Sequence, residues 1–557
     1  MDIRRTILWM IFSFSLLLLW NNWQEYNGKP SLFANAPVTE EQSANTTPAS
    51  AADTTVPQAL SSTSTAPTLP ESAVASADTE IITVTSDVYK LSFDTIGAQL
   101  VRAELLNYAS PDENAEHMTL LDNSATSTYL AQTGVVGAPA GQSYPTHLTP
   151  FRLVSEQTDL QAGRLDIVFE ATADQVRVLK TYTLTEGSYD IKVSHQIENL
   201  SDQPITPSIY LQLSRDGNNP PDSSKLYRTF TGPVVYSEDD KFQKIGFSDI
   251  DKNKAKYTQS ADNGWVGMVQ HYFASAWVPP QGLERKNEIL RVANNLYAAR
   301  TILPVGTLAA GESKTITADL WVGPQDQKAM SAVAKGLDLV VDYGWLTIIS
   351  KPLFTILTWL HSLIGNWGWA IVLLTVLIKL VFYPLSAASY RSMAKMKQVT
   401  PRMQAIREKY ADDKVKQNQA MMELYRNEKI NPLGGCLPML VQIPVFIALY
   451  WVLLGSVEMR GAPWILWIQD LSARDPWMIL PAIMMLTMFL QIKLNPTPPD
   501  PMQAKVMMIM PLVFGGMMFF FPAGLVLYWV VNNALSIAQQ QYITSRINKE
   551  EAAKKIG

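Results

Sequence analysis

The stretch that decides the fold is residues 506–545, VMMIMPLVFGGMMFFFPAGLVLYWVVNNALSIAQQQYITS. These 40 consecutive residues contain no Lys, Arg, Asp or Glu, and uncharged apolar runs of this length are typical of helices that span a lipid bilayer. Pro522 and Gly524 interrupt the run, so we predict two spans, 506–522 and 523–545, joined by a tight turn. The chain of 557 residues is therefore not a single soluble domain, although 47% hydrophobic residues, 17% charged residues and a net charge of −5 are ordinary overall values.

Three more apolar stretches precede this one, and we predict that each forms a membrane span. They are 351–386, 433–457 and 476–493, so that the core has five membrane helices. Ahead of the first span, residues 326–350 place Val333, Leu337 and Val340 at helical spacing beside charged positions. This pattern indicates an amphipathic helix that lies in the membrane interface.

The N-terminus has the layout of a secretory signal, with Arg4 and Arg5 before an uncharged segment at 6–23. The nearest small-x-small site, Ala34-Asn35-Ala36, is too far downstream for ordinary cleavage. We therefore predict an uncleaved anchor at 1–27 with a cytoplasmic N-terminus, and a removed signal peptide is the alternative. Residues 28–79 follow as a disordered linker, because 29 of the 42 residues from 37 to 78 are Ala, Ser, Thr or Pro.

Residues 80–325 alternate between apolar and polar positions with a period of two. Ile191, Val193 and Ile197 are interleaved with polar residues, and similar runs occur at 165–170, 209–214 and 315–322. Many short strands with Gly, Pro, Asn and Asp between them predict a large antiparallel β-sandwich outside the cytoplasmic membrane. This domain carries no phosphate-loop, zinc-protease or serine-hydrolase motif, so we interpret it as a partner-binding or spacing module. We expect His195 to be a hydrogen-bonded structural residue rather than a ligand.

The charge distribution predicts which loops are cytoplasmic. Residues 387–432 contain ten Lys or Arg against five Asp or Glu, whereas 458–475 contain two against three. Because cytoplasmic loops are enriched in Lys and Arg, we place 387–432, the loop 494–505 and the tail 546–557 inside the cell. The 387–432 segment predicts a basic helical hairpin with a methionine-rich seam that either packs on itself or docks a partner. The candidate docking residues are Arg391, Lys395, Lys397, Arg402, Arg407 and Lys409.

Lys379 is the candidate functional cation of the membrane core. It follows residues 353–378, which carry no formal charge, and an intramembrane cation is a functional hypothesis by default. Alternatively, its side chain reaches the nearby interface by snorkelling. Polar residues in several spans point to a shared wet cavity, although cross-helix hydrogen bonds are an equal explanation. These residues are Thr375, Gln442, Asn532, Asn533 and Ser536.

Methionines are concentrated in the same part of the chain, where ten of the 22 lie between residues 478 and 518. Flexible, polarisable methionine side chains can repack around different apolar segments, although simple filling of the core is an alternative. We predict an apolar surface that accommodates apolar segments of different sequence. Its candidate residues are Met484, Met485, Met488, Met507, Met508 and Met510.

Several motifs of the C-terminal part occur together. They are Asn431-Pro432-Leu433-Gly434-Gly435-Cys436-Leu437-Pro438, Gln442-Ile443-Pro444, Gly455-Ser456-Val457-Glu458, Asp500-Pro501-Met502-Gln503, and Phe521-Pro522-Ala523-Gly524-Leu525 followed by Tyr528-Trp529. With these motifs, residues 342–546 resemble the YidC/Oxa/Alb membrane-insertase family. The anchor and the large exported β domain resemble the Gram-negative YidC form of that family.

The resemblance implies a membrane protein insertase and chaperone of the Gram-negative inner membrane, not an enzyme, acting alone or with the Sec translocon. It also implies a hydrophilic groove open to the cytoplasm and the bilayer, with Lys379 as its cation where many relatives carry arginine. Tyr528 and Trp529 would line this groove, although the family pattern leads us to expect a tyrosine at the second position. Nascent membrane proteins, the lipid bilayer and a ribosome or targeting factor are the expected partners.

Other functions are less favoured by the sequence. The single cysteine and five scattered histidines indicate no disulfide and no structural metal, and we expect no cofactor and no direct nucleic-acid readout. A secondary transporter is the first alternative, but the uneven spans show no inverted repeat. An intramembrane hydrolase using Thr375 with Lys379, or Ser392 with Lys395, is the second.

Overall fold

The computed structural model describes residues 55–58, 79–110, 115–160, 162–220, 229–411, 413–428, 437–495 and 501–556. The predicted anchor at 1–27, most of the predicted linker at 28–79, and Cys436 lie outside the described residues.

Two nine-stranded sheets pack face to face and form the domain between residues 81 and 324. The paired strands of both sheets are antiparallel, which confirms the predicted β-sandwich. The first sheet has the order β1-β2-β3-β4-β5-β10-β17-β16-β13, and the second has the order β12-β11-β14-β15-β18-β9-β8-β7-β6. The strands are β1 (Ile81–Thr85), β2 (Tyr89–Asp94), β3 (Gln99–Ala109), β4 (His117–Asn123), β5 (Thr128–Val136), β6 (Arg152–Leu153), β7 (Arg164–Ala173), β8 (Val176–Thr185), β9 (Asp190–Asn199), β10 (Ser208–Asp216), β11 (Gly232–Ser237), β12 (Lys241–Lys244), β13 (Ser260–Ala261), β14 (Trp265–Gln270), β15 (Phe273–Val278), β16 (Arg285–Ala293), β17 (Leu296–Pro304) and β18 (Ser313–Pro324).

The period-two pattern of the sequence becomes the core of the sandwich. In β9, Ile191, Val193 and Ile197 are fully buried between the sheets, because successive side chains of a strand point to opposite faces. His195 shares this inward face and its Nε2 lies 2.8 Å from the hydroxyl of Thr133 on β5. Burial holds the pKa of His195 well below its usual value, so the histidine is a neutral core residue, as expected.

The prediction of a single amphipathic helix at 326–350 is wrong. The structure has a short helix at Gln327–Val333, two 3-10 turns at Leu337–Val340 and Gly344–Leu346, and then a long helix that begins at Thr347. Gly336 and Gly344 have φ angles of 76° and 65°. These left-handed positions suit glycine and interrupt a right-handed helix, a signal that the apolar spacing alone did not show.

The C-terminal part of the described chain is helical. A left-handed Gly365 ends one helix, and Asn366 caps the next by accepting a hydrogen bond from the backbone N–H of Trp369. The helices are α1 (Phe247–Asp251), α2 (Gln327–Val333), α3 (Thr347–Ile364), α4 (Trp367–Val381), α5 (Tyr383–Lys409), α6 (Lys414–Asn427), α7 (Leu437–Gly455), α8 (Ile479–Leu494), α9 (Pro501–Met518) and α10 (Ala523–Ile556).

Length and apolar composition single out one described helix, α3, as sufficient to cross a membrane by itself. Helices α4 and α5 pass the same test when taken together across their bend of 67°. The apolar stretches Gln442–Gly455, Ile479–Leu494 and Lys505–Met518 are shorter. The arrangement of an anchor and five spans therefore stays a prediction.

The β-sandwich and the helices share one apolar cluster. Trp265 and Tyr236 of the second sheet belong to the same buried cluster as Leu337, Leu357 of α3 and Leu449 of α7. Polar contacts join the same parts, because Lys244 pairs with Asp342 at 2.5 Å and His271 Nε2 lies 3.0 Å from the carbonyl oxygen of Leu454. The β-sandwich thus packs directly against the ends of the helices in the core.

Candidate functional site

Lys379 lies in the last turn of α4, where the helix faces α7 and α10. Its Nζ donates a hydrogen bond of 2.8 Å to the hydroxyl of Ser536 on α10 and a longer one of 3.5 Å to Oε1 of Gln442 on α7. The ammonium group is only partly exposed. Among the residues that the structure describes, no carboxylate forms an ion pair with Lys379.

Gln442 and Asn532 continue this polar network across the helices. The side-chain amide of Gln442 donates to Oδ1 of Asn532, and the hydroxyl of Ser536 donates to the backbone carbonyl of Asn532 at 2.7 Å. Asn532 and Ser536 are 6% and 4% exposed, so these polar groups are hydrogen-bonded within the helices and not on an outer surface. The four residues from three helices thus form one cluster, which we call the polar cluster: Lys379, Gln442, Asn532 and Ser536.

The other two candidate polar residues lie beside the polar cluster. The hydroxyl of Thr375 is buried and donates to the carbonyl oxygen of Ile371 in its own helix at 2.7 Å. The side chain of Asn533 donates instead to the hydroxyl of Thr487 on α8, at 3.3 Å. The sequence interpretation missed Thr487, although a hydroxyl inside an apolar span was a signal that could have found it.

Tyr390 is a second residue that the sequence interpretation missed. It lies on α5, and its hydroxyl donates to the carbonyl oxygen of Ser536 at 3.5 Å. This contact connects α5, the first helix of the predicted hairpin, with the polar cluster. Its position seven residues after Tyr383, in a segment assigned to the hairpin, gave no indication of this role.

Tyr528 and Trp529 belong to an aromatic cluster of α7, α9 and α10. Tyr528 is buried and stacks against Phe446 with 6.2 Å between ring centres. Trp529 lies 4.6 Å from Phe446 and 5.3 Å from Phe514. Neither side chain hydrogen-bonds Lys379 within the described part of the chain, and this aromatic cluster borders the polar cluster.

The six candidate methionines do not form one continuous exposed surface. Met508 and Met510 of α9 are 59% and 51% exposed, next to the exposed residues Ile509 and Leu512. Met484 of α8 is fully buried in the helical core, where it cannot contact a passing helix. The remaining three candidates, Met485, Met488 and Met507, are half-buried.

The basic residues of the predicted hairpin are mostly exposed on α5. Arg402 pairs with Glu428 at 2.5 Å, and the ammonium of Lys409 lies over the ring of Tyr410 at 5.4 Å. The seam between α5 and α6 is formed by Val399 and Met403, against which Met421 and Leu424 pack. The methionine-rich seam therefore packs on itself, while most of the basic side chains remain exposed. The exposed members of the candidate set are Arg391, Lys395, Lys397, Arg402 and Lys409, and Arg407 is half-buried.

The chemistry of this site is that of a hydrogen-bonded cation. In the described residues, no three His, Cys, Asp or Glu side chains come together in a way that could hold a metal ion. The hydroxyls of Thr375 and Ser536 each donate to a backbone carbonyl of their own helix, so neither proton is directed at Lys379, as general-base activation of a nucleophile would require. A positive charge amid amide and hydroxyl groups can instead bind an anionic or strongly polar segment.

Comparison with known proteins covers the whole chain. Residues 81–356 match the family model described as the YidC periplasmic domain, and residues 359–551 match the one described as the 60Kd inner membrane protein. Membrane protein insertase YidC of Bordetella parapertussis (strain 12822) is 65% identical, with 99% of both chains covered. Membrane protein insertase YidC of Janthinobacterium sp. (strain Marseille) is 50% identical, with 98% of this chain and 99% of the relative covered.

A solved structure of an active YidC insertase with the first transmembrane domain resolved matches with a TM-score of 0.37 and 18% identity, over 82% of this chain and 91% of that one. Both of the sequence relatives are named as insertases, and neither name describes a hydrolase or a solute transporter. The chain therefore belongs to the YidC family of membrane protein insertases, with the family's periplasmic domain as its β-sandwich and the inner-membrane part as its helical core.

Proposed function

We propose that this chain inserts membrane proteins by receiving the hydrophilic tail of a client at the polar cluster. The single observation that carries this proposal is the position of Lys379, which hydrogen-bonds Ser536 and Gln442 but forms no ion pair with a described carboxylate. A partly buried cation without a counter-ion attracts an anionic group, because the interaction between charges strengthens away from water. An acidic client tail supplies that group.

The apolar helix of the client leaves along the outer side of α9. Met508, Met510 and Val513 are more than half exposed there, and adaptable methionine side chains suit clients of different sequence. Met484 supports this surface from the core and does not form part of it. The proposed sliding surface is therefore narrower than the full set of six methionines.

The energetics limit which clients insert without help. About 20 apolar residues contribute roughly 6 to 12 kcal/mol on entering the bilayer, and each charge at its centre costs about 2.5 to 3.5 kcal/mol. Apolar burial thus offsets about two to four tail charges. Moving an anion outward against a negative-inside potential adds roughly 2.3 kcal/mol per 100 mV. We propose that short, lightly charged tails insert with this chain alone, and that larger ones require the Sec translocon.

The basic face of the hairpin is the proposed docking site for a ribosome or a targeting factor. Lys395, Lys397 and Lys409 are exposed on α5, and the contact of Tyr390 with Ser536 connects this helix to the polar cluster. Clustered positive charge accelerates association with anionic surfaces. We also propose that both termini are cytoplasmic, as the distribution of Lys and Arg in the loops indicates.

The test is insertion of a single-span client with an acidic outer tail into vesicles that contain purified protein. Replacing Lys379 by Glu should lower the insertion rate by about tenfold, which corresponds to 1.4 kcal/mol. Lys379→Arg should retain the rate, because the charge is kept. Lys505→Glu is the matched control, since it makes the same charge change on an exposed lysine at the start of α9. Equal rates for Lys379→Glu and the unmodified protein would exclude the electrostatic role.

A further inference from the structure

The outer face of the first sheet carries a buried apolar cluster that is separate from the core of the sandwich. On β10, Leu211 and Leu213 point into the sandwich, so Tyr210 points the other way. Tyr210 is directly opposite Ile302 of β17, and Val136 lies at the end of the neighbouring strand β5. These three side chains, which we call the outer cluster, are 0%, 0% and 7% exposed.

The ring of Tyr210 is held flat along the sheet by its neighbours. Its hydroxyl accepts a hydrogen bond of 3.0 Å from the backbone N–H of His147. A Cβ atom at Gly134 would lie 2.6 Å from the same hydroxyl, so the glycine of β5 creates the space that the ring fills. The outer cluster is thus a shaped surface and not a loose apolar patch.

A short segment of the chain's own N-terminal region covers this surface. Val56 packs against the outer cluster, and Pro57 is buried. The carbonyl oxygen of Thr55 accepts a long hydrogen bond of 3.5 Å from Nη1 of Arg300. The segment Thr55-Val56-Pro57-Gln58 therefore makes an apolar contact and a polar contact with the same face.

Arg300 is positioned for this contact by a buried polar row. Glu288 binds its guanidinium at 2.7 Å, and Nη1 also donates to Gln212 at 3.3 Å. The amides of Gln212, Gln132 and Gln99 are linked in turn at 2.9 and 2.8 Å. The buried amides hold Arg300 beside the apolar surface, where its guanidinium reaches the carbonyl oxygen of Thr55.

The sequence of the segment fits that surface. Between Val38 and Leu60, Val56 is the one Val, Ile, Leu, Met or aromatic residue. The proline that follows restricts Val56 to an extended conformation, which lowers the entropy lost when the segment binds. No other site in this part of the linker sequence offers both features.

We infer that the outer face of the first sheet is a peptide-binding groove whose resident occupant is the chain's own segment Thr55–Gln58, held by Val56-Pro57 on the outer cluster and by the Thr55 carbonyl on Arg300. The groove thereby fixes the linker to the β-sandwich well before β1 begins at Ile81.

Disulfide trapping in the full-length chain tests this proposal. In a Cys436→Ser background, Val56→Cys is combined with Ile302→Cys, and formation of the disulfide is followed after addition of a mild oxidant. The matched control combines Val38→Cys with Ile302→Cys, which uses another valine of the same linker. We expect the Val56 pair to close at least about tenfold faster, because docking raises its local concentration. Equal rates would overturn the proposal.

A second measurement leaves Ile302 unchanged, because the Ile302→Cys substitution could itself disturb folding of the sheet. With Val56→Cys or Val38→Cys as the single thiol, the rate of alkylation by a soluble maleimide should be at least about fivefold lower at residue 56, as expected for a thiol shielded by packing. Adding Val136→Glu should abolish this protection, because the charge replaces part of the apolar surface. Equal alkylation of the two thiols without that substitution would also contradict the docked segment.

Discussion

Glu458 is buried where the helical core meets the β-sandwich. It follows α7 directly, and its Oε2 atom has no hydrogen-bond partner among the residues that the structure describes. Burial raises the pKa of this carboxyl to about 7, and the nearby charge of Asp326 adds to the effect. Compared with the unfolded chain, the folded protein therefore favours the protonated form of this carboxyl.

Replacing Glu458 by Gln should remove a pH dependence of stability. The folded state binds the proton more tightly than the unfolded chain, whose glutamic acid has an ordinary pKa of 4.5. Stability is therefore lost as pH rises from about 4.5 to about 7, by on the order of 3 kcal/mol. The melting temperature of Glu458→Gln should exceed that of the unmodified protein at pH 8 and match it at pH 4.5.

Comparing Glu458→Gln with the unmodified protein separates the effect of Glu458 on stability from that of His271. Burial lowers the pKa of His271 to about 4, so this residue destabilises the fold as pH falls through about 6.5 to 4, in the opposite direction. Both proteins contain His271, and its effect cancels in their difference. A difference in melting temperature that does not change with pH would contradict the assignment.

At the scale of elements, two adjacent glycines of α9 have different surroundings. A Cβ atom at Gly515 would lie 2.0 Å from Cγ of Met485 on α8, whereas nothing lies within 4 Å of such an atom at Gly516. The two helices approach closely at Gly515, as small residues allow in membrane helices. Gly516 only lowers the intrinsic stability of the helix.

Gly515→Ala should therefore destabilise the protein while Gly516→Ala should not. The added methyl group at 515 forces Met485 to move or the helices to separate, at a cost of about 1 to 3 kcal/mol. At residue 516 the substitution should leave the free energy of unfolding unchanged or raise it by up to about 1 kcal/mol. Thermal unfolding in detergent measures both, and equal shifts for the two variants would show that the close approach does not stabilise the packing.

The elements differ in how well the sequence predicted them. Alternation in β9 defined the buried face of the strand, because the period of two leaves no other choice once one face is covered. The prediction of one helix at 326–350 failed because Gly336 and Gly344 have positive φ angles, which interrupt a right-handed helix. The spacing of apolar residues does not reveal these φ angles. Hydrophobic spacing also could not show that Tyr390 reaches Ser536, since that contact depends on how α5 and α10 pack.

At the scale of the whole molecule, the β-sandwich is fixed to the helices at several points. Arg460 lies over the rings of Tyr272 and Phe273 at 5.7 and 5.2 Å, and it donates to the carbonyl oxygen of Ala109 at 3.0 Å. Such contacts between a cation and aromatic rings contribute about 0.5 to 2 kcal/mol each. The sandwich therefore lies over one end of the helices, whereas Lys379 is in the last turn of α4, beside the hairpin.

The polar cluster could be predicted in part from the same sequence. Polar residues in apolar spans are costly unless they meet, so the grouping of Lys379, Gln442 and Ser536 follows from their types. The separate contact of Asn533 with Thr487 does not follow, because adjacent residues such as Asn532 and Asn533 face different neighbours on a helix. The sequence also did not distinguish the buried Met484 from the exposed Met508.

Cross-linking of a client caught during insertion tests the central claim most directly. Gln442→Cys or its neighbour Ile443→Cys is placed in a Cys436→Ser background, and the client carries one cysteine in its acidic outer tail. Gln442 belongs to the polar cluster, whereas Ile443 is 44% exposed on the apolar outer side of α7. We predict that the tail forms a disulfide with residue 442 and not with 443. Equal cross-linking at the two positions, or cross-linking at 443 alone, would contradict entry of the tail through the polar cluster.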